Sequence, residues 1–101
     1  MPGFRPTAGG SRTMLDITTS TLVLAGQGHV YRVFIAVANT AAGAIYDSAT
    51  VAGISAANMI QEIPVGQTLP IVLDAEVFNG LVINPGTGGT VTVTYDPSYS
   101  L

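Results

Sequence analysis

The chain has 101 residues with three arginines, no lysine and six carboxylates, which give a formal net charge of −3 at pH 7. Three arginines do not make the basic patch that nucleic acids or anionic membrane surfaces require, so both kinds of partner are argued against. Because cysteine is absent, disulfides and thiolate metal sites are excluded.

The length predicts one domain with a modest core. Nearly half of the residues are hydrophobic and only 9% are charged, whereas ordinary domains carry about 25% charged residues. So few charges are typical of a protein that covers much of its surface with partners; a surface rich in Ser, Thr, Asn and Gln is the equal alternative. No apolar run approaches the roughly 20 residues of a membrane helix, and the N-terminal sequence is not expected to be a secretory signal.

Proline and glycine are dense in residues 1–13, which predicts an extended N-terminal arm ahead of a single β-sandwich domain at 14–101. The arm holds Arg5 and Arg12, whereas all six carboxylates lie in the body. This asymmetry favours contact with an acidic surface such as the body of the next subunit; a frayed terminus is the alternative. Together with Phe4, the two arginines are the predicted partner contacts.

The rest of the sequence predicts about eight short strands with turn signals between them. The predicted strands lie near residues 14–20, 21–25, 28–39, 44–48, 58–63, 69–74, 81–83 and 90–96. In the first, Leu15 and Ile17 are expected to share a face. The run at 28–39 is the longest apolar stretch and is rich in β-branched and aromatic residues, so it predicts a central strand covered on both faces.

Later strands carry further signals. The stretch Ser55–Ile63 suits either a short helix capped by Ser55 or a strand from Asn58, and the strand is preferred. Pro70 cannot donate a ladder hydrogen bond, so its strand lies at an edge or starts there. Asn79-Gly80 marks a turn or hairpin. The last strand alternates cleanly and is expected to turn Val91, Val93 and Tyr95 toward the core.

Eight short antiparallel strands in two sheets describe a β-sandwich of jelly-roll type. An immunoglobulin-like sandwich is the main alternative, although the tryptophan and cysteines of antibody domains are missing. Strand order does not follow from the sequence.

No group of residues forms a recognisable catalytic or metal motif. His29 is the only histidine and has no nucleophile elbow to serve. Asp74 and Glu76 are expected to share one face of a strand, where they suit either a calcium site or a solvated strand end. The glycine-rich loop at 84–89 lacks the helix and lysine of a phosphate-binding loop, so it is interpreted as a strand connection. No catalytic residue, metal ligand or cofactor is therefore predicted.

The four tyrosines could stack on sugars, but three of them are expected to pack in or beside the core. The three are Tyr31, Tyr46 and Tyr95. Tyr99 is left as the exposed candidate.

Three phrases resemble those of a known group of proteins. They are VANTAAGAIYDSATVAG at 37–53, IQEIPVGQTLPIVLDAEV at 60–77 and FNGLVINPGTGGTVTVTYD at 78–96. In their order and spacing they resemble small tailed-phage and prophage virion proteins, among them capsid decoration (cement) proteins. The resemblance covers roughly residues 20–96 and leaves the arm outside.

The resemblance implies a structural protein, not an enzyme, that is made in the host cytoplasm and sits on the outer capsid surface of the virion. It would stabilise the shell by bridging neighbouring major capsid proteins. Three-fold lattice sites favour a homotrimer over the commoner dimer. A receptor- or carbohydrate-binding module of a phage fibre or tail is the competing hypothesis. A third, a small hydrolase, lacks catalytic groups.

Overall fold

The structure is a computed structural model in which residues 12–97 are described. These residues form eight strands and one short 3-10 helix. The strands are β1 Arg12–Ile17, β2 Thr21–Ala25, β3 Gly28–Val37, β4 Gly43–Asp47, β5 Met59–Ile63, β6 Ile71–Val77, β7 Gly80–Asn84 and β8 Thr90–Pro97; the helix is Ala56–Asn58. The predicted all-β fold with about eight short strands is therefore confirmed.

The strands form two antiparallel four-stranded sheets. Sheet 1 has the order β1-β8-β3-β6, and sheet 2 has the order β2-β7-β4-β5. The immunoglobulin alternative is wrong, because that fold keeps its first two strands in one sheet, whereas here they lie in different sheets. Both sheets contribute side chains to one core, which makes the molecule a β-sandwich. The core side chains are Ile17, Val23, Val30, Val33, Ile45, Ile63, Val77, Leu81, Ile83, Val91 and Val93.

Strand β3 lies inside sheet 1, between β8 and β6, but the prediction that both its faces are covered is wrong. Val30 and Val33 are fully buried, although they are three residues apart. A β-bulge between Val30 and Arg32 inserts a residue and switches the face that points inward. Arg32 and Phe34 are left on an exposed outer face. Strand β7, by contrast, has buried residues on both faces.

Strand β1 also contains a bulge, and it overturns the expected shared face of Leu15 and Ile17. Met14 pairs with Val93 and Ile17 with Val91, so two residues of β1 oppose one residue of β8. Leu15 is consequently 70% exposed while Ile17 is buried. The strand starts at Arg12, so the predicted arm is wrong for its last two residues; its remainder lies outside the described residues.

Strand β6 confirms the edge predicted from Pro70, because it begins at the next residue and is the last strand of sheet 1. Strand β8 confirms its predicted alternation, with Val91 and Val93 buried and Tyr95 packed against the core.

The ambiguous stretch after residue 54 contains both of its predicted elements. Ser55 caps the 3-10 helix, with its side chain accepting a hydrogen bond from the backbone N–H of Ala57. Asn58 completes the cap by accepting from the backbone N–H of Ser55. The preferred strand follows at once as β5, one residue later than predicted.

Candidate functional site

The single histidine meets a carboxylate from the neighbouring edge strand. Nε2 of His29 lies 2.7 Å from Oδ1 of Asp74, and the two side chains are 32% and 75% exposed. The Tyr31 ring lies beside the imidazole, with centroids 4.6 Å apart. The two partners are 45 residues apart in sequence and meet because β3 pairs with β6.

Two more carboxylates flank this histidine. In the register of sheet 1, His29 lies opposite Glu76 on β6 and opposite Asp96 on β8. Directly opposite residues point to the same face of a sheet, so these side chains share the outer face. Asp74 and Glu76 are both exposed and alternate with inward residues of β6, which confirms the predicted shared face. We call Asp74, Glu76 and Asp96 the acidic row.

The acidic row offers charge rather than an assembled reaction centre. A histidine–carboxylate dyad needs a nucleophile within reach, and within residues 12–97 the only side-chain hydrogen bond of His29 is the one to Asp74. Nor does any group of three or more His, Cys, Asp and Glu residues in that range lie close enough to hold a metal ion. The row therefore suits recognition of a cationic partner.

Arg32 lies on the same outer face, one outward position further along β3. Its cross-strand neighbours are Thr94 and Val72. The backbone N–H of Arg32 donates to Oγ1 of Thr94 at 3.2 Å. The one ion pair found among the described residues joins His29 to Asp74, so the guanidinium of Arg32 has no carboxylate partner there.

Three exposed apolar side chains share the outer face of sheet 1 with Arg32. Leu15, Phe34 and Val72 are 70%, 36% and 64% exposed. Phe34 is opposite Thr92 on β8, and Thr92 is in turn opposite the bulge that contains Leu15. We call these three apolar residues the outer patch. Exposed apolar patches of this kind mark surfaces that partners cover.

At the C-terminal end of β3, three loops are joined by one buried amide. The Nδ2 atom of Asn39 donates to the carbonyl oxygens of Pro85 at 3.0 Å and Ile63 at 3.4 Å. Its Oδ1 atom accepts from the backbone N–H of Gly66 at 2.9 Å. These bonds hold the β3–β4, β5–β6 and β7–β8 connections together.

This end of the sandwich also presents apolar side chains. Val37 ends β3, while Val65 and Leu69 lie in the β5–β6 connection that Asn39 holds. All three side chains are more than half exposed. We call them the apolar end. Since Asn39 fixes the loops, the apolar end is presented on an ordered backbone.

The predicted contact residues are only partly placed. Phe4, Arg5 and the candidate sugar-stacking Tyr99 lie outside the described residues. Arg12 starts β1 opposite Tyr95, at the end of sheet 1 that carries the acidic row. The 84–89 loop joins β7 to β8, so its interpretation as a strand connection is confirmed.

Sequence reasoning missed three of these features. It treated His29 as isolated, because its partner Asp74 is known only once β3 and β6 are paired. It placed Arg32 under a covering layer, because the bulge was not visible. It assigned no role to Asn39, whose buried side-chain amide bonds the backbone of two other segments of the chain.

In residues 12–97 no helix is long and apolar enough to cross a membrane. Comparison of the chain with protein families, curated proteins and solved structures found no match in any of the three.

Proposed function

We propose that this chain is a structural virion protein that decorates a phage capsid and stabilises it by bridging neighbouring major capsid proteins on the outer surface. The observation that carries the proposal is the apolar end, Val37, Val65 and Leu69, on a body with few charges. A protein that binds only the assembled shell stabilises that shell by mass action. Repetition over many lattice sites multiplies a modest contact.

The phrases that resemble decoration proteins coincide with the elements that build this end. The phrase at 37–53 contains Asn39, the phrase at 60–77 contains Gly66, and the phrase at 78–96 contains Pro85. These are the three segments that the Asn39 amide ties together. The resemblance and the geometry of the apolar end thus involve the same residues.

A jelly-roll arrangement of the sandwich is part of the proposal. The strand pairs are β1 with β8, β2 with β7, β3 with β6 and β4 with β5. The pairs are nested, from the first strand with the last to the two middle strands with each other. A single long hairpin has the same nested pairs, and here its strands are divided between two sheets. Eight strands in two sheets with this nesting support the jelly-roll type.

We also propose that the chain is a homo-oligomer, with a trimer favoured over a dimer and with contacts from Phe4, Arg5 and Arg12. The support is positional. Arg12, the first residue of β1, lies opposite Tyr95, one register position from Asp96 of the acidic row. Complementary charge at that end favours association between subunits.

The test is to assemble shells of the major capsid protein from the same phage or prophage, with and without this chain, and to image both. We expect added density on the outer surface where capsomers meet, and a higher temperature of shell disruption. Leu69→Asp should remove both effects, whereas the matched change Val51→Asp, in the β4–β5 connection, should keep them. Shells that stay bare in the presence of the unmodified chain would refute the function.

The second candidate is a receptor- or carbohydrate-binding module of a phage fibre or tail. The specific observation in its favour is the His29–Tyr31 ring pair beside the exposed Asp74 carboxylate, since rings and carboxylates are common in sugar sites. Binding of a glycan that is lost in Tyr31→Ala, together with bare shells, would select this candidate.

A further inference from the structure

The outer face of sheet 1 carries opposite charges at two levels along β3, where a level is a row of outward-facing residues that lie opposite one another on neighbouring strands. At one level lie Glu76 and Asp96 of the acidic row, on either side of His29, while Asp74 lies between this level and the next, at the register irregularity of β6. At the next outward level lies Arg32, whose guanidinium has no carboxylate partner among the described residues. Glu76 and Asp96 of the row likewise make no ion pair within residues 12–97. The face thus displays an unpaired cation and unpaired anions side by side, with the exposed outer patch next to the cation.

We propose that this face binds the same face of a second copy of the chain. If the strands of the two copies are aligned, as in most packed sheets, a two-fold axis in the interface runs either along the strands or across them. An axis along the strands would place Arg32 against Arg32 and acid against acid. An axis across the strands, between the levels of His29 and Arg32, places each Arg32 between Glu76 and Asp96 of the other copy, and the two Asp74 side chains, each bonded to its own His29, lie near the axis. Like charges repel and opposite charges select orientation, so the second axis is the one the face specifies.

The apolar side chains fit the same axis. Phe34 is the next outward residue of β3 after Arg32. In the opposite direction, beyond His29, Val77 pairs with Gly28, and the turn that follows β6 begins there. That turn carries Phe78, which is 64% exposed. The axis therefore brings Phe34 of each copy toward Phe78 of the other, and both aromatic rings lose contact with water.

The area that overlaps across this axis fits a weak, transient dimer. The axis lies near the Gly28 end of the 10-residue strand β3, so about six residues of it overlap; with four strands about 4.8 Å apart and about 3.3 Å per residue, the shared area is roughly 400 Å² on each copy. Specific interfaces bury about 800 Å² per partner, and transient ones bury less. We expect a dissociation constant in the micromolar range. The contact is isologous, which means that it joins two copies through the same surface. If the chain also forms the proposed trimer through other residues, two trimers joined by this face would give a hexamer.

A charge exchange tests the inference on the full-length chain. Arg32→Glu places acid against acid, and Glu76→Arg places cation against cation. Each variant alone should therefore raise the dissociation constant of the face contact at least tenfold. Sedimentation equilibrium should then show half the mass of the unmodified protein. Mixing the two variants restores opposite charges at both reciprocal contacts. The mixture should recover the mass of the unmodified protein, as a one-to-one complex of the two variants.

Glu62→Arg is the matched control, because it makes the same charge change on an exposed residue of β5 in sheet 2, and it should leave the mass unchanged. Circular dichroism of every variant verifies that the sandwich is folded. A monomeric unmodified protein at 100 µM, an unchanged mass in Arg32→Glu, or variants that fail to recover the mass on mixing would each overturn the inference. None of these outcomes depends on capsid binding, so the proposed function is tested separately.

Discussion

The Oδ1 atom of Asp47 lies 2.8 Å from the backbone nitrogen of Asn79. The same carboxylate also accepts from the backbone N–H groups of Phe78, at 3.0 Å, and Gly80, at 3.3 Å. Asp47 ends β4, and the three donors form the turn through which the chain leaves β6 in sheet 1 and enters β7 in sheet 2. One side chain therefore fixes a connection between the sheets, and Asn79-Gly80 forms a crossing turn rather than a hairpin.

Removing this carboxylate should weaken the whole sandwich. Because hydrogen bonds to charged groups contribute about 1.5–3 kcal/mol and these are partly exposed, Asp47→Ala should lower the free energy of unfolding by about 2 kcal/mol. Asp47→Asn keeps one acceptor oxygen and should lose about half as much. Urea unfolding followed by circular dichroism measures both. Glu62→Ala, at an exposed carboxylate that accepts no hydrogen bond from another side chain or turn, should change stability by less than about 0.5 kcal/mol.

The Asn39 amide should matter more, because it is buried. Its removal leaves the carbonyl oxygens of Pro85 and Ile63 without their side-chain donor, whereas the N–H of Gly66 keeps the backbone carbonyl of Asn39 as an acceptor at 3.2 Å. Leaving buried polar groups unsatisfied costs about 1–3 kcal/mol each, so Asn39→Ala should lower the free energy of unfolding by about 3 kcal/mol. Asn39→Asp should cost more, since a carboxylate would face two carbonyl oxygens. Gln61→Ala, which removes only a bond to the adjacent residue, should be nearly neutral by the same denaturation measurement.

Much of the fold is predictable from local residue patterns. Most of the apolar runs are bounded on at least one side by Gly, Pro or Asn, which stop a strand for reasons that do not depend on the rest of the chain. The edge position of β6 followed from Pro70 in the same way, and the cap at Ser55 from its hydroxyl. These features involve residues close together in sequence.

The features that were not predictable depend on how distant strands pair. The bulge in β1 changes the face of Leu15, but its cause is the register against β8. Asp16 and Asp74 adopt positive φ at two irregularities of sheet 1, whereas the four other acids, which also lie in strands, do not. The contact between His29 and Asp74 needs β3 beside β6, and strand order does not follow from either strand alone. The candidate surface is assembled from such long-range relations, so sequence patterns did not locate it.

Gly43 and Gly26 require glycine for two different reasons, lack of space for a side chain and a positive φ. A Cβ atom at Gly43 would lie 2.0 Å from the carbonyl oxygen of Asn84, whereas one at Gly26 would meet nothing within 4 Å. Gly26 instead has a φ of 96°. Overpacking against backbone costs up to about 3 kcal/mol or more, so we expect Gly43→Ala to lower the free energy of unfolding by at least that amount. Gly26→Ala should cost only about 1 kcal/mol, the penalty of a positive φ. Equal losses in thermal and urea unfolding would contradict this distinction.

Substitution of Asp74 by the strand-forming residue valine should lower the free energy of unfolding, whereas at an ordinary exposed strand position it would not. It lies in β6 with a φ of 48°, a conformation that Asp and Asn tolerate and β-branched residues do not. Valine is a strong strand former, yet Asp74→Val should lower the free energy of unfolding by about 1–2 kcal/mol because it forces a β-branched side chain into the left-handed region. Asp74→Asn keeps the backbone conformation and loses only an exposed ion pair, which contributes at most about 1 kcal/mol. The matched control is Asp96→Val, on the same outer face at a residue without positive φ, which should be neutral or stabilising. Equal stabilisation by Asp74→Val and Asp96→Val would mean that the left-handed backbone at Asp74 does not constrain the strand. The irregularity of β6 that places the Asp74 carboxylate beside His29 would then have another cause.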